Sequence, residues 1–73
     1  MDEKYRLQHE NFGLRILQER KRHRWSQEKL AEKANINKNT VSIIELGESS
    51  PKLDTILALA EALGINPSEL LDF

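Results

Sequence analysis

The chain has no cysteine. A disulfide staple is therefore excluded, as is any metal centre built on thiolates, and the composition fits a reducing cytoplasm. Long apolar runs are missing too. The longest, ILALA at 56–60, is far short of the ~18 residues that a membrane span needs. The opening MDEKYRLQHE is charged throughout and does not read as a signal peptide. No segment repeats, none is of low complexity, and none alternates apolar and polar residues long enough for a strand. A cytoplasmic, all-helical protein is expected.

The 73 residues suffice for one small domain. At this size folding buries only about 60% of the unfolded chain's surface, so oligomerisation would help a marginal core. The formal net charge of −1 hides an asymmetry. Residues 1–40 carry ten Lys/Arg against six Asp/Glu, whereas residues 41–73 carry one Lys against six Asp/Glu. Two readings are open: a basic face suited to nucleic acid, or ordinary solvated helix surface.

Helical spacing recurs along the chain. A first helix is expected from Asn11, a capping residue type, to about Arg22, with Leu14, Ile16, Leu17 and Arg20 along it. Residues 1–10 then form an N-terminal extension to a domain of 11–73. Gly13 inside a helix costs up to ~1 kcal/mol against Ala, which suggests close packing there. Ser26 caps a second helix carrying Leu30, Ala31 and Ala34 on one face. The stretch KANINKNTV at 33–41 follows, with three Asn in nine residues. Asn tolerates the left-handed conformation and also caps helices, so Asn35 can close one helix and Asn37 open the next. Ile36 is the apolar plug between them. Val41 and Ile44 share a buried face, and Gly47 supplies the stop. A fourth helix lies within 51–63, with Leu53, Ile56, Leu59, Ala60 and Leu63 at core spacing and Gly64 as terminator. Asn66 with Pro67 behind it starts a last short helix. Five helices with short links make an all-α, compact domain.

Two helices joined by so short a turn describe a helix-turn-helix in general. The residues are more particular. SQEKLAEKA at 26–34, NIN at 35–37, TVSIIELG at 40–47 and SPKLDTI at 50–56 resemble the Cro/repressor type of helix-turn-helix domain. That family includes phage repressors and the controller proteins of restriction–modification systems, and the resemblance runs from about Phe12 to Leu71. It implies a five-helix domain that binds an inverted-repeat DNA operator as a homodimer and regulates transcription. Three features depart from the family: Asn35 stands where Gly is common, Leu46 where a basic residue is common, and the second half is acidic.

The resemblance assigns roles. Such domains place the start of the third helix at base edges in the major groove, which here puts Lys38, Asn39, Ser42 and Ile43 outward. Lys donates to O6 and N7 of guanine, Asn pairs with N6 and N7 of adenine, and Ile offers apolar contact to a thymine methyl. Gln27 matches the family position that binds the DNA backbone and sometimes buttresses a base-reading side chain, and Asn37 and Thr40 join it at the backbone. Arg20 matches an arginine that pairs with a glutamate late in the third helix, here Glu45. The run RKRHR at 20–24 reads either as solvated face or, at Arg22 and Arg24, as a phosphate clamp.

Leu57, Ile65, Leu71 and Phe73 are left over as apolar surface, and a dimer through the C-terminal helices is expected. His9 and His23 have no partners at ligand spacing, so no metal site is expected, nor a cofactor. Ser, His and Asp are present but no motif arranges them for catalysis, so an enzyme is not expected. A competing role, motivated by the acidic half and the extension, is an antitoxin-like or adaptor protein whose main partner is another protein.

Overall fold

The computed structural model describes residues 3–72. After a short 3-10 turn at Glu3–Tyr5 come helices α1 (Arg6–Arg22), α2 (Gln27–Ala34), α3 (Lys38–Glu45), α4 (Leu53–Leu63) and α5 (Pro67–Leu70). No strand occurs among the described residues. None of the helices is long and apolar enough to cross a membrane.

Each helix after the first begins at a residue in extended conformation, and three of those four begin at a side-chain cap. Ser26 Oγ accepts from Lys29 N at 3.0 Å, Asn37 Oδ1 from Asn39 N at 2.7 Å, and Asn66 Oδ1 from Ser68 N at 3.0 Å. Each bond satisfies an amide that a helix start leaves unpaired. The ends share one device as well. Residues in left-handed conformation follow α1, α2, α3 and α4: Arg24 (φ 59°), Asn35 (φ 56°), Gly47 (φ 74°) and Gly64 (φ 72°). Beyond each, a bond reaches back around the helix end, as from Ile36 N to Ala31 O at 2.9 Å and Ile65 N to Ala60 O at 3.0 Å. Ile36 and Ile65 then pack half-buried against the core, completing the motif.

The first helix differs from the sequence expectation. It starts at Arg6, not Asn11, and Asn11 lies inside it without capping anything. The segment RLQHE holds no helix breaker, and its Arg, Leu, Gln and Glu are good helix formers. Its last residue also meets the end of α3, where Glu10 lies against Gly47 so closely that a Cβ there would stand 2.8 Å from its Cγ.

Phe12 and Ile16 of α1, Leu30, Ala31 and Ala34 of α2, Val41 and Ile44 of α3, Leu59, Ala60 and Leu63 of α4 and Leu70 of α5 form one core. Trp25 packs half-buried at its edge and stacks on His23, ring centres 4.3 Å apart. Leu14 of the first helix and Leu53, the latter expected in this core, are outside it. Leu14 is 49% exposed, because Ile16 and Phe12 define the inward face of α1 and Leu14 lies opposite. Leu53, at the first position of α4, is 66% exposed, since the inward stripe begins only at Ile56.

Gly13 explains the tight fit of α1 on α3. A Cβ at that position would overlap the carbonyl oxygen of Ile44 and stand 3.1 Å from that of Glu45. The two helix backbones touch here, which only glycine allows.

Candidate nucleic-acid interface

The turn at 35–37 sets how α3 is presented. Asn35 in left-handed conformation ends α2, and Asn37 in extended conformation starts α3 one residue after Ile36. With Val41 and Ile44 buried, the helical repeat pushes the remaining residues outward. Lys38 and Asn39 are exposed on the first turn, Thr40 and Ser42 are half-buried, and Ile43 is exposed. Asn39, Ser42, Ile43 and Leu46 share one stripe at helical spacing, and Leu46 is exposed at its end. Asn37 is exposed; its Oδ1 accepts the cap bond, and its amino end is left to donate to a partner.

Behind this face lies a buried polar network. Arg20 donates from Nε to Glu45 Oε2 at 2.7 Å and from Nη2 to Oε1 at 2.9 Å, a bidentate pair between α1 and α3. Its Nη1 donates to the Trp25 carbonyl at 2.8 Å, which ties down the segment entering α2. Gln27, half-buried at the first position of α2, donates from Nε2 to Glu45 Oε1 at 2.9 Å. The hydrogen bond that Arg20 donates to Glu45 raises the Arg20 pKa above its ordinary value; burial opposes this, and charge attraction adds to it. The guanidinium therefore stays charged. Its partner carboxylate is the one acidic group of α3, and pairing it inside leaves Lys38 as the unopposed charge of that helix.

The basic run at 20–24 is mostly structural. Arg20 points inward, Arg22 pairs with the buried Glu19 at 3.1 Å, and His23 Nε2 lies 2.9 Å from the Leu63 carbonyl. Glu19 also takes Arg15 at 3.1 Å. Lys21 and Arg24 are exposed, and neither makes an ion pair among the described residues.

Two contacts of this site are absent from the sequence expectations, and only one of them is beyond a reading of the sequence. Nothing in the spacing of Gln27 and Glu45 shows that they touch, because the contact exists only once α2 and α3 cross. The Glu19 cluster was open to recognition, since Arg15 and Arg22 stand four and three residues away, where helical side chains meet.

Of the apolar residues set aside for self-association, Leu57 and Leu71 are 44% and 45% exposed. Leu53, on the same side of α4 as Leu57 one turn earlier, joins them at the surface. Ile65 is half-buried and already committed in part to the core. Phe73 lies outside the described residues.

Comparison with known proteins places this geometry. A helix-turn-helix family model matches residues 16–70. The control protein C.BamHI of Bacillus amyloliquefaciens is 40% identical over 63 residues, covering 85% of this chain and 78% of that protein. The immunity repressor protein of Bacillus phage phi105 is 41% identical over 59 residues, covering 81% of this chain but only 41% of the repressor. Among solved structures, the restriction-modification controller protein C.AhdI from Aeromonas hydrophila superposes with a TM-score of 0.83 at 37% identity. The match covers 85% of this chain and 94% of that one.

Proposed function

This chain belongs to the helix-turn-helix family, and on that premise we propose that it is a transcriptional regulator that binds an inverted-repeat operator as a homodimer. The observation that carries the reading is the outward stripe of α3, with Lys38 and Asn39 exposed on its first turn. Similarity to a restriction–modification controller and a phage repressor supports the same role.

The division of labour follows from chemistry. Lys38 and Asn39 read base edges by hydrogen bonding, Ser42 assists, and Ile43 contacts a thymine methyl. Gln27, Asn37 and Thr40 hold phosphates and fix the register without reading sequence. Leu57 and Leu71, with Leu53 and the exposed part of Ile65, are covered by a second copy; Phe73 is assigned to the same interface. The two copies of α3 then stand about 34 Å apart, one turn of DNA.

Selection of bound duplexes from a random pool tests this. An enriched inverted repeat, whose binding weakens steeply with salt as phosphate contacts release counterions, is the expected result. No enrichment, together with a tightly held protein partner, would replace the regulator by an adaptor.

A further inference from the structure

We infer that Glu45 is a positioning residue for DNA docking, acting through the side-chain amide of Gln27; the inference rests on the proposed function above. Gln27 Nε2 donates to Glu45 Oε1 at 2.9 Å. A carboxylate has only acceptors, so nothing but the amino end of the amide can face it. The polarity of the Gln27 amide is thereby set before DNA arrives. One Nε2 hydrogen is held by Glu45 and the other is left over. Phosphate oxygens are acceptors, and that second hydrogen is the group they require. Without Glu45 the amide turns freely, and its carbonyl end would face the phosphate part of the time.

Glu45 is itself fixed. Two bonds from Arg20, at 2.7 and 2.9 Å, hold both its oxygens, and the third bond of the guanidinium holds the Trp25 carbonyl just ahead of α2. One guanidinium thus sets both the carboxylate and the chain segment that carries Gln27. The Glu45 side chain is only 5% exposed. It is too enclosed to meet a base or a phosphate, so its influence on binding passes through what it holds.

A double-mutant cycle tests this, using the best duplex recovered from a random pool. All variants are measured at one salt concentration and at a temperature where circular dichroism shows each of them folded. Glu45→Gln should weaken binding roughly three- to tenfold, the worth of one oriented hydrogen bond. In a Gln27→Ala background the same change should alter affinity less than about twofold, since the group it acts through is gone. Equal losses in both backgrounds would make Glu45 merely structural and overturn the inference.

Because Glu45→Gln leaves Arg20 short of an acceptor and can unfold the domain, a second measurement uses the unmodified protein. The two Gln27 side-chain amide hydrogens should give well-separated NMR signals that exchange slowly with water, and one of them should shift when duplex is added. Signals that exchange like those of an exposed glutamine would overturn the inference. If the unmodified protein binds no duplex at all, the proposed function itself falls, an outcome distinct from binding that survives with additive losses.

Discussion

Arg20 and Glu45 lie 25 positions apart in the chain and meet through two hydrogen bonds of 2.7 and 2.9 Å. Their side chains are 8% and 5% exposed. Removing one partner of such a pair leaves the other charge buried and uncompensated, at a cost of roughly 3–5 kcal/mol. A domain of this size has little more than that in total. Glu45→Ala should therefore lower the melting temperature far more than Glu48→Ala, which alters an exposed residue with no ion pair among the described residues. Equal melting temperatures would show that the pair contributes nothing net.

The pH dependence has a definite sign. The Arg20 pKa is raised in the folded state by its bond to Glu45. Its contribution is therefore fully present below the ordinary arginine range and is lost only as pH rises through the raised value. The melting-temperature gap between the two variants should hold constant from neutral to mildly alkaline pH.

Gly13→Ala offers a test in which two effects oppose each other. Within an exposed helix the change would stabilise by up to ~1 kcal/mol through helix propensity. Here the added Cβ overlaps the Ile44 carbonyl of α3, and backbone cannot swing aside as a flexible side chain does. Overpacking of this kind costs about 1–3 kcal/mol or more, so a net loss is expected in urea unfolding. A gain would mean that α1 and α3 separate more easily than their contact suggests.

Arg24 holds a left-handed conformation at φ 59° where Gly47 and Gly64 do the same work elsewhere. A side chain there costs roughly 1–2 kcal/mol, partly offset in Arg24→Gly by the extra freedom of glycine in the unfolded chain. The substitution should stabilise the domain by about 0.5–1 kcal/mol and raise its melting temperature by a few degrees. An unchanged or lower value would show that the Arg24 side chain makes a compensating contribution.

How far the sequence could be read depended on the range of each signal. Asn35 and Asn37 were legible because a left-handed terminus and an Asn cap are local matters, decided within a few residues. Asn11 misled for the same reason in reverse: it is a capping type, but helix-forming neighbours and contact with Gly47 carry α1 past it. Leu14 and Leu53 have acceptable spacing to other apolar residues, and only packing shows that they face outward. The Gln27–Glu45 contact was illegible because it depends on how two helices cross. The Arg20–Glu45 pairing came from family resemblance, and spacing alone would not have found it.

Self-association should depend on the exposed leucines. Leu57 on α4 and Leu71 beyond α5 leave apolar surface that a monomer would keep wet. Leu57→Lys and Leu71→Asp should each shift sedimentation from dimer towards monomer at tens of micromolar, while helical content stays unchanged because neither residue is in the core. A wild-type protein that sediments as a monomer with and without its selected duplex would remove the dimer from the proposed function.

Base reading and phosphate holding should separate by mutation. Asn39 is exposed on the first turn of α3, and Gln27 sits at the start of α2 with its amide held by Glu45. Asn39→Ala should cost about 1–3 kcal/mol on the best site and relax preference at one position in each half-site. Lys38→Ala should do the same at a neighbouring position, with a slightly shallower salt slope from the lost charge. Gln27→Ala should weaken binding evenly across sequences, because a backbone contact carries no base identity. Competition against every single-base variant of the half-site, at one fixed salt concentration, gives the full preference profile for each protein. If Asn39→Ala leaves that profile unchanged while weakening binding throughout, Asn39 holds backbone, and base reading must be assigned elsewhere on α3.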